Sequence, residues 1–135
     1  MATRDVVMQH IEAFNSRNAQ DEPYGADSEI IAPPGTVKGR ENVLGFLGVF
    51  QEAFPDARLE VKQLLVDGSV AAAEGTLVGT HNGVLHSPAG DVPATGRAVE
   101  LRWAAVYEVR GSEMLYEHLY FDQMEMMGQL GLLPS

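Results

Sequence analysis

The side chains with the most capacity for chemistry lie near the C-terminal end of the chain, where His118, Tyr120 and Asp122 stand at alternate positions. Trp103, Ala105 and Tyr107 alternate in the segment before them. Residues two apart share one face of a strand. If both segments are extended, a carboxylate, an imidazole and several aromatic rings meet on one surface. Beside Leu101 and Trp103, the Asp122 carboxylate would be desolvated and suited to take a proton from an activated carbon and return it to oxygen. At roughly 3.3 Å per residue, His118 lies roughly 13 Å from Asp122 along the strand, so the two would touch opposite ends of one ligand and not each other. The structural alternatives are an Asp122 that caps the passage into the C-terminal segment and a core His118 satisfied by the backbone.

Other chemistries lack their residues. The chain has no cysteine, which removes thiol nucleophiles, disulfides and cysteine-ligated zinc. Its four histidines have no zinc-protease spacing, His81 reads as structural and His86 as exposed, and no phosphate loop, dinucleotide fingerprint or nucleophile elbow occurs. No metal, flavin or nicotinamide is therefore expected. Nine basic against nineteen acidic residues give a formal charge of −10, which repels nucleic acid and anionic membrane surfaces. No apolar run is long enough to span a bilayer, and Arg4, Asp5 and Glu12 occupy the stretch where a signal peptide would be apolar, so a cytoplasmic protein is expected. At 135 residues, 45% of them hydrophobic, the chain reads as a single globular domain over residues 1–135.

The elements that must position these residues follow from the apolar periods. Val6, Val7, His10, Ile11 and Phe14 recur at helical spacing, and Val43, Leu47, Phe50 and Phe54 mark a second helix over 40–54 that Pro55 ends. Ile30 and Ile31 suggest a short strand before Pro33 and Pro34. Asp67-Gly68 joins strands 58–66 and 69–81 in a hairpin, and Gly111-Ser112 joins strands 97–110 and 113–123 in another. A Gly- and Pro-rich loop fills 82–96, and 128–133 reads as an apolar tail or helical turn. Helices followed by antiparallel hairpins predict an α+β fold with helices on one sheet face.

Regular pairing about Gly111-Ser112 sets Tyr107 opposite Tyr116, Ala105 opposite His118, Trp103 opposite Tyr120 and Leu101 opposite Asp122. This aromatic face is taken as the interior. Glu100, Arg102, Glu108, Arg110, Glu113 and Glu117 then face outward with Leu115, Leu119 and Phe121, whose apolar character suggests a homodimer built on the sheet exterior. In the first hairpin the more apolar face carries Leu59, Val61, Gln63 and Leu65 with Val70, Ala72, Glu74, Thr76 and Val78. It would turn Glu74 inward unless a bulge near Gly75 or Gly79 resets the alternation. Phe14, Phe46 and Phe50 would line the pocket from the helices.

Several motifs stand in order across residues 5 to 134: Ala53-Phe54-Pro55-Asp56, Val78-Gly79-Thr80-His81-Asn82-Gly83, Thr95-Gly96-Arg97, Tyr120-Phe121-Asp122-Gln123 and Gln129-Leu130-Gly131-Leu132-Leu133-Pro134. Together they make the chain resemble the SnoaL-like polyketide cyclases of the nuclear transport factor 2-like superfamily. The resemblance implies a cone-shaped barrel, a strongly curved antiparallel sheet packed on N-terminal helices, often dimeric. It also implies cofactor-free intramolecular aldol closure, with the acid/base aspartate at Asp122. The short, polar Arg17–Asp27 segment and Ala105 depart from the family pattern. Three functional readings stay open. One is an acid/base enzyme on an aromatic or polyketide-like substrate, with Asp122 and His118 catalytic and Trp103, Tyr120, Tyr107, Glu74, Phe50, Phe46 and Phe14 holding the ligand. The others are a non-catalytic binder of a small hydrophobic or aromatic molecule and a hydroxylase-like accessory protein.

Overall fold

In a computed structural model that describes residues 2–133, the chain opens with helix α1 at Thr3–Ser16, where Val6, Val7, His10, Ile11 and Phe14 form one buried stripe. Arg17 ends it in the left-handed region, φ 55°, and a 3₁₀ turn at Ala19–Asp21 leads into strand β1, Tyr24–Ala32. Then come β2 (Gly35–Lys38), α2 (Arg40–Ala53), β3 (Arg58–Asp67) and β4 (Val70–Thr80). A small hairpin of β5 (Leu85–Ser87) and β6 (Gly90–Val92) lies inside the stretch expected to be loop. The chain closes with β7 (Ala98–Arg110), β8 (Glu113–Phe121) and α3 (Gln123–Gln129). Among the described residues no helix is long and apolar enough to cross a membrane. Pro134 of the last motif lies outside the described residues.

The main sheet has the order β2-β1-β8-β7-β4-β3, antiparallel throughout except that β1 runs parallel to β8. Its outer strands β2 and β3 do not pair with each other, so the sheet is open and not a closed barrel. Bulges interrupt three pairings, between Tyr24 and Glu29, Val61 and Gln63, and Glu108 and Val109. Each bulge adds local twist. Helix α1 lies on β3, β4, β7 and β8, while α2 packs on β1, β2 and β5, and the core sits between these helices and one sheet face.

Along β7 that face alternates as expected, burying Val99, Leu101, Trp103, Ala105, Tyr107 and Val109. Along β8 it does not. Val109 pairs with Met114 but Glu108 pairs with Tyr116, so Leu115 is an extra residue that shifts everything beyond it by one. A one-residue slip exchanges the two faces of a strand. Glu117, Leu119 and Phe121 therefore share the inner face with Tyr107, Ala105 and Trp103, whereas His118 and Tyr120 pair with Val106 and Ala104 on the outside. The face expected for β4 is reversed as well: Ala71, Ala73, Gly75 and Leu77 point inward and Glu74 outward. Small residues stand inside because large ones oppose them, Ala71 across from Tyr107 and Gly75 across from Trp103. At Gly75 a Cβ would collide with the Glu60 carbonyl oxygen and stand 3.1 Å from Cζ2 of Trp103, so glycine is what lets the indole settle against β4.

Candidate functional site

A cavity of about 50 Å³ lies between the helices and the inner sheet face. It has room for a few water molecules. Phe14 of α1, Phe46, Leu47 and Phe50 of α2 and the β-strand residues Leu59, Leu77, Leu101, Leu119 and Phe121 give it apolar walls, while Trp103, Tyr107, His10 and Glu117 supply polar atoms.

The polar end is a buried cluster contributed by α1, the segment that leads into β1, and β8. α1 presents His10 because position 10 belongs to its apolar stripe, and β8 presents Glu117 because of the bulge at Leu115. The Nδ1–H of His10 donates to Glu22 Oε1 at 2.6 Å, and its Nε2 lies 3.5 Å from Glu117 Oε1. The Tyr24 hydroxyl donates to that same Oε1 at 2.5 Å. The Glu117 side chain, engaged by Tyr24 at Oε1, also lines the cavity. Arg40 holds the connecting segment in place, its guanidinium donating to the carbonyls of Ala19, Gln20, Glu22 and Tyr24.

Both His10 and Glu117 are almost fully buried, and burial opposes charge on each. For Glu117 burial is the leading influence and raises the carboxyl above its ordinary value. His10 and the Tyr24 hydrogen bond pull it down, and the Glu22 charge adds to the rise. Burial alone would lower His10, but the charges of Glu22 and Glu117 and the hydrogen bond to Glu22 outweigh it, and the imidazole is raised. Tyr24 and Tyr107 are raised well above the ordinary phenol, first by burial and then by the neighbouring carboxylates. The cluster thus sets an imidazole whose charged form the neighbouring carboxylates favour beside a carboxyl whose neutral form burial favours, an arrangement suited to proton transfer.

Of the residues picked out from sequence, Trp103, Tyr107, Phe14, Phe46 and Phe50 do line this cavity. His118, Tyr120, Asp122 and Glu74 do not. His118 stacks on Tyr116 on the outer face with ring centroids 4.5 Å apart, and Tyr120 is 58% exposed. Tyr120, Asp122 and Glu74 border a shallow outer hollow beside Arg102. Asp122 caps α3, its Oδ1 accepting from the backbone N–H groups of Met124 and Glu125 at 2.8 and 3.2 Å. Four residues of the buried cluster, His10, Glu22, Tyr24 and Glu117, were missed. The sequence did hold a clue to Glu117: Leu115, Leu119 and Phe121 are too apolar for an exposed sheet face, and this marks a slipped register. The slip turns Leu119 and Phe121 inward, which removes most of the basis on which a dimer surface was expected.

Phe46, Phe50 and Phe121 form an edge-to-face cluster, with centroids 5.4 Å apart for the first pair and 5.8 Å for the second. All three also line a larger outer hollow of about 800 Å³ bounded by the β1–β2 turn, α2, the β5–β6 hairpin and α3. The three rings are the partition between the two spaces. Among the described residues no group of three or more His, Asp or Glu is placed to hold a metal ion.

The family described as SnoaL-like polyketide cyclase matches residues 4–130. No curated protein matches the sequence. Among solved structures, IdmH of Streptomyces antibioticus, a candidate polyketide cyclase, is 28% identical with a TM-score of 0.80, covering 96% of this chain and 98% of its own. A candidate SnoaL-like polyketide cyclase from Jannaschia sp. CCS1 is 17% identical with a TM-score of 0.84, covering 98% of this chain and 93% of its own. TerC, co-crystallized with polyporic acid, is 14% identical with a TM-score of 0.76, covering 96% and 98%.

Proposed function

This chain belongs to the SnoaL-like polyketide cyclase family, and from that membership we propose that it is a cofactor-free acid/base enzyme acting on an aromatic or polyketide-like carbonyl compound, with Glu117 as the proton-transfer group. The observation that carries this reading is a buried carboxyl, hydrogen-bonded at one oxygen by Tyr24 with His10 beside it, that lines an aromatic-walled cavity. In such a site the Glu117 carboxylate removes a proton from carbon flanked by carbonyl groups. The C–H electron pair moves into the carbon framework and negative charge settles on oxygen. The enolate then attacks a second carbonyl of the same molecule, and Glu117 returns its proton to the new alkoxide, leaving the enzyme unchanged. His10, held by Glu22, sets the electrostatic field on the carboxyl. The apolar walls exclude water and keep these charges effective.

This reading assigns to Glu117 the role expected of Asp122, because the Asp122 carboxylate is outside the cavity and occupied as a helix cap. Phe46, Phe50 and Phe121 must part for a ligand larger than a few waters to reach Glu117, and the outer hollow holds the rest of its body. TerC, which shares the fold, was co-crystallized with polyporic acid, in keeping with a small organic ligand here. Copies of the chain associate through the outer sheet face, where Ile31, Leu65, Val70 and Tyr120 are exposed; light scattering that gives a monomer at micromolar concentration would end this part of the proposal.

The test of catalysis is proton exchange. Benzoylacetone, an aromatic 1,3-diketone, is incubated in D₂O with the protein, and loss of its C2 proton is followed by NMR. The wild-type protein accelerates exchange and Glu117→Gln reduces the acceleration by about a hundredfold or more, the scale of a positioned acid/base group. Equal acceleration by both proteins would remove Glu117 from the chemistry.

A further inference from the structure

Trp103 has a buried donor with nothing to give it to. The residue is 7% exposed and lines the inner cavity, and its indole N–H has no hydrogen-bond acceptor among the described residues. A buried indole N–H ordinarily finds a partner, because leaving it unpaired costs the full desolvation of the group. The backbone around it is arranged for this ring: β4 carries Gly75 directly opposite, and no larger residue fits there. An apolar Phe would fill such a place without the polar penalty.

Position in the cavity says which part of a ligand this donor would meet. Trp103 pairs with Phe121, one of the three rings at the partition, whereas Tyr107 pairs with Glu117 at the polar end. Four residues of strand separate the two levels, roughly 13 Å. A ligand whose reacting carbon rests on Glu117 therefore reaches Trp103 with its opposite end.

We propose that the Trp103 indole N–H is a specificity-determining donor that binds a carbonyl oxygen at the partition end of the ligand, so that the site selects elongated, conjugated molecules with an oxygen acceptor remote from the reacting carbon. The proposal rests on the reading of the cavity as a ligand site and adds the chemical feature the ligand must carry. Trp103 is here a positioning residue: it fixes register in the cavity, and proton transfer stays with Glu117.

Two nearly isosteric probes isolate the contact, acetophenone with its C=O and α-methylstyrene with C=CH₂ in its place. Trp103 is the only tryptophan of the chain, so its indole N–H gives one resonance in a ¹H–¹⁵N spectrum of the unaltered protein. Acetophenone should move that resonance downfield, and α-methylstyrene should not. The ketone should also bind about tenfold more tightly, the scale of one hydrogen bond, and Trp103→Phe should bring the two affinities close to parity. A ketone that saturates the site without moving the indole resonance would overturn the proposal, as would a preference for ketone that survives in Trp103→Phe. If both probes bind equally, this inference fails and the cavity reading stands; if neither binds, both fail. The spectrum of the wild-type protein decides the matter even where Trp103→Phe does not fold.

Discussion

Replacing Glu117 by Gln and by Ala separates a buried hub from a merely buried carboxyl. The amide keeps the side-chain volume, and its carbonyl oxygen still accepts from the Tyr24 hydroxyl. Alanine leaves that hydroxyl and His10 Nε2 without their shared partner and opens space next to an existing cavity. Removing one member of a buried, hydrogen-bonded charge cluster costs about 3–5 kcal/mol. For a domain of this size roughly 4 °C of melting temperature corresponds to 1 kcal/mol. Glu117→Ala should therefore melt roughly 12–20 °C below the wild type and Glu117→Gln within about 4 °C of it. The pH profile adds a sign. Because the Glu117 carboxyl is raised above its ordinary 4.5, its contribution is complete below that value and is lost as pH rises through the folded pKa. His10 is raised above 6.5 and follows the same rule over a higher window, and the Glu117 charge is one cause of that rise. Glu117→Gln removes the first loss and reduces the second, so its melting temperature should gain on the wild type as pH rises from 4.5 toward 9. Circular-dichroism melts at several pH values measure this. An alanine variant within about 4 °C of wild type, or parallel pH profiles for wild type and Gln, would refute the assignment of Glu117 as the buried hub.

Asp122→Ala should cost about 1 kcal/mol through loss of the α3 cap, Asp122→Asn much less, and both should leave benzoylacetone exchange intact; exchange abolished in a folded Asp122→Asn would return the catalytic role to that residue. The two histidines of the 80–97 region should titrate on opposite sides of 6.5 in an NMR titration. His86 is raised, first by its hydrogen bonds to Asp91 and Glu52 and then by their charges, and His81 is lowered by burial. It follows that His86 stays protonated as pH rises past the point where His81 has lost its proton, and the reverse order would show that the hairpin contacts do not persist in solution.

Local pattern was enough for α1, α2, the two long hairpins and the family, though not for β2, the β5–β6 hairpin or α3. The stripe from Val6 to Phe14, the Val43-to-Phe50 line before Pro55 and the two turn dipeptides each report a period or a breaker within a few residues, and the structure carries elements at those places. The inward course of β7 was legible for the same reason: Leu101, Trp103 and Tyr107 alternate with charged and small residues over a strand with no internal interruption. The same alternation misled in β8, because period two carries no information past an inserted residue. Leu115 exchanged Asp122, His118 and Tyr120 for Glu117, Leu119 and Phe121, and with them one candidate site for another. In β4 the apolar count favoured the wrong face, since what belonged inside was small enough to leave room for Trp103 and Tyr107. His10, Glu22, Tyr24 and Glu117 come from three separate segments, up to 107 positions apart, and nothing in the chemistry of any one of them announces the others. Sequence determines where elements form because propensity and period are local. Which carboxyl is buried was decided only by tertiary structure, through one bulge and the packing of α1 across the sheet, because burial depends on every neighbour at once.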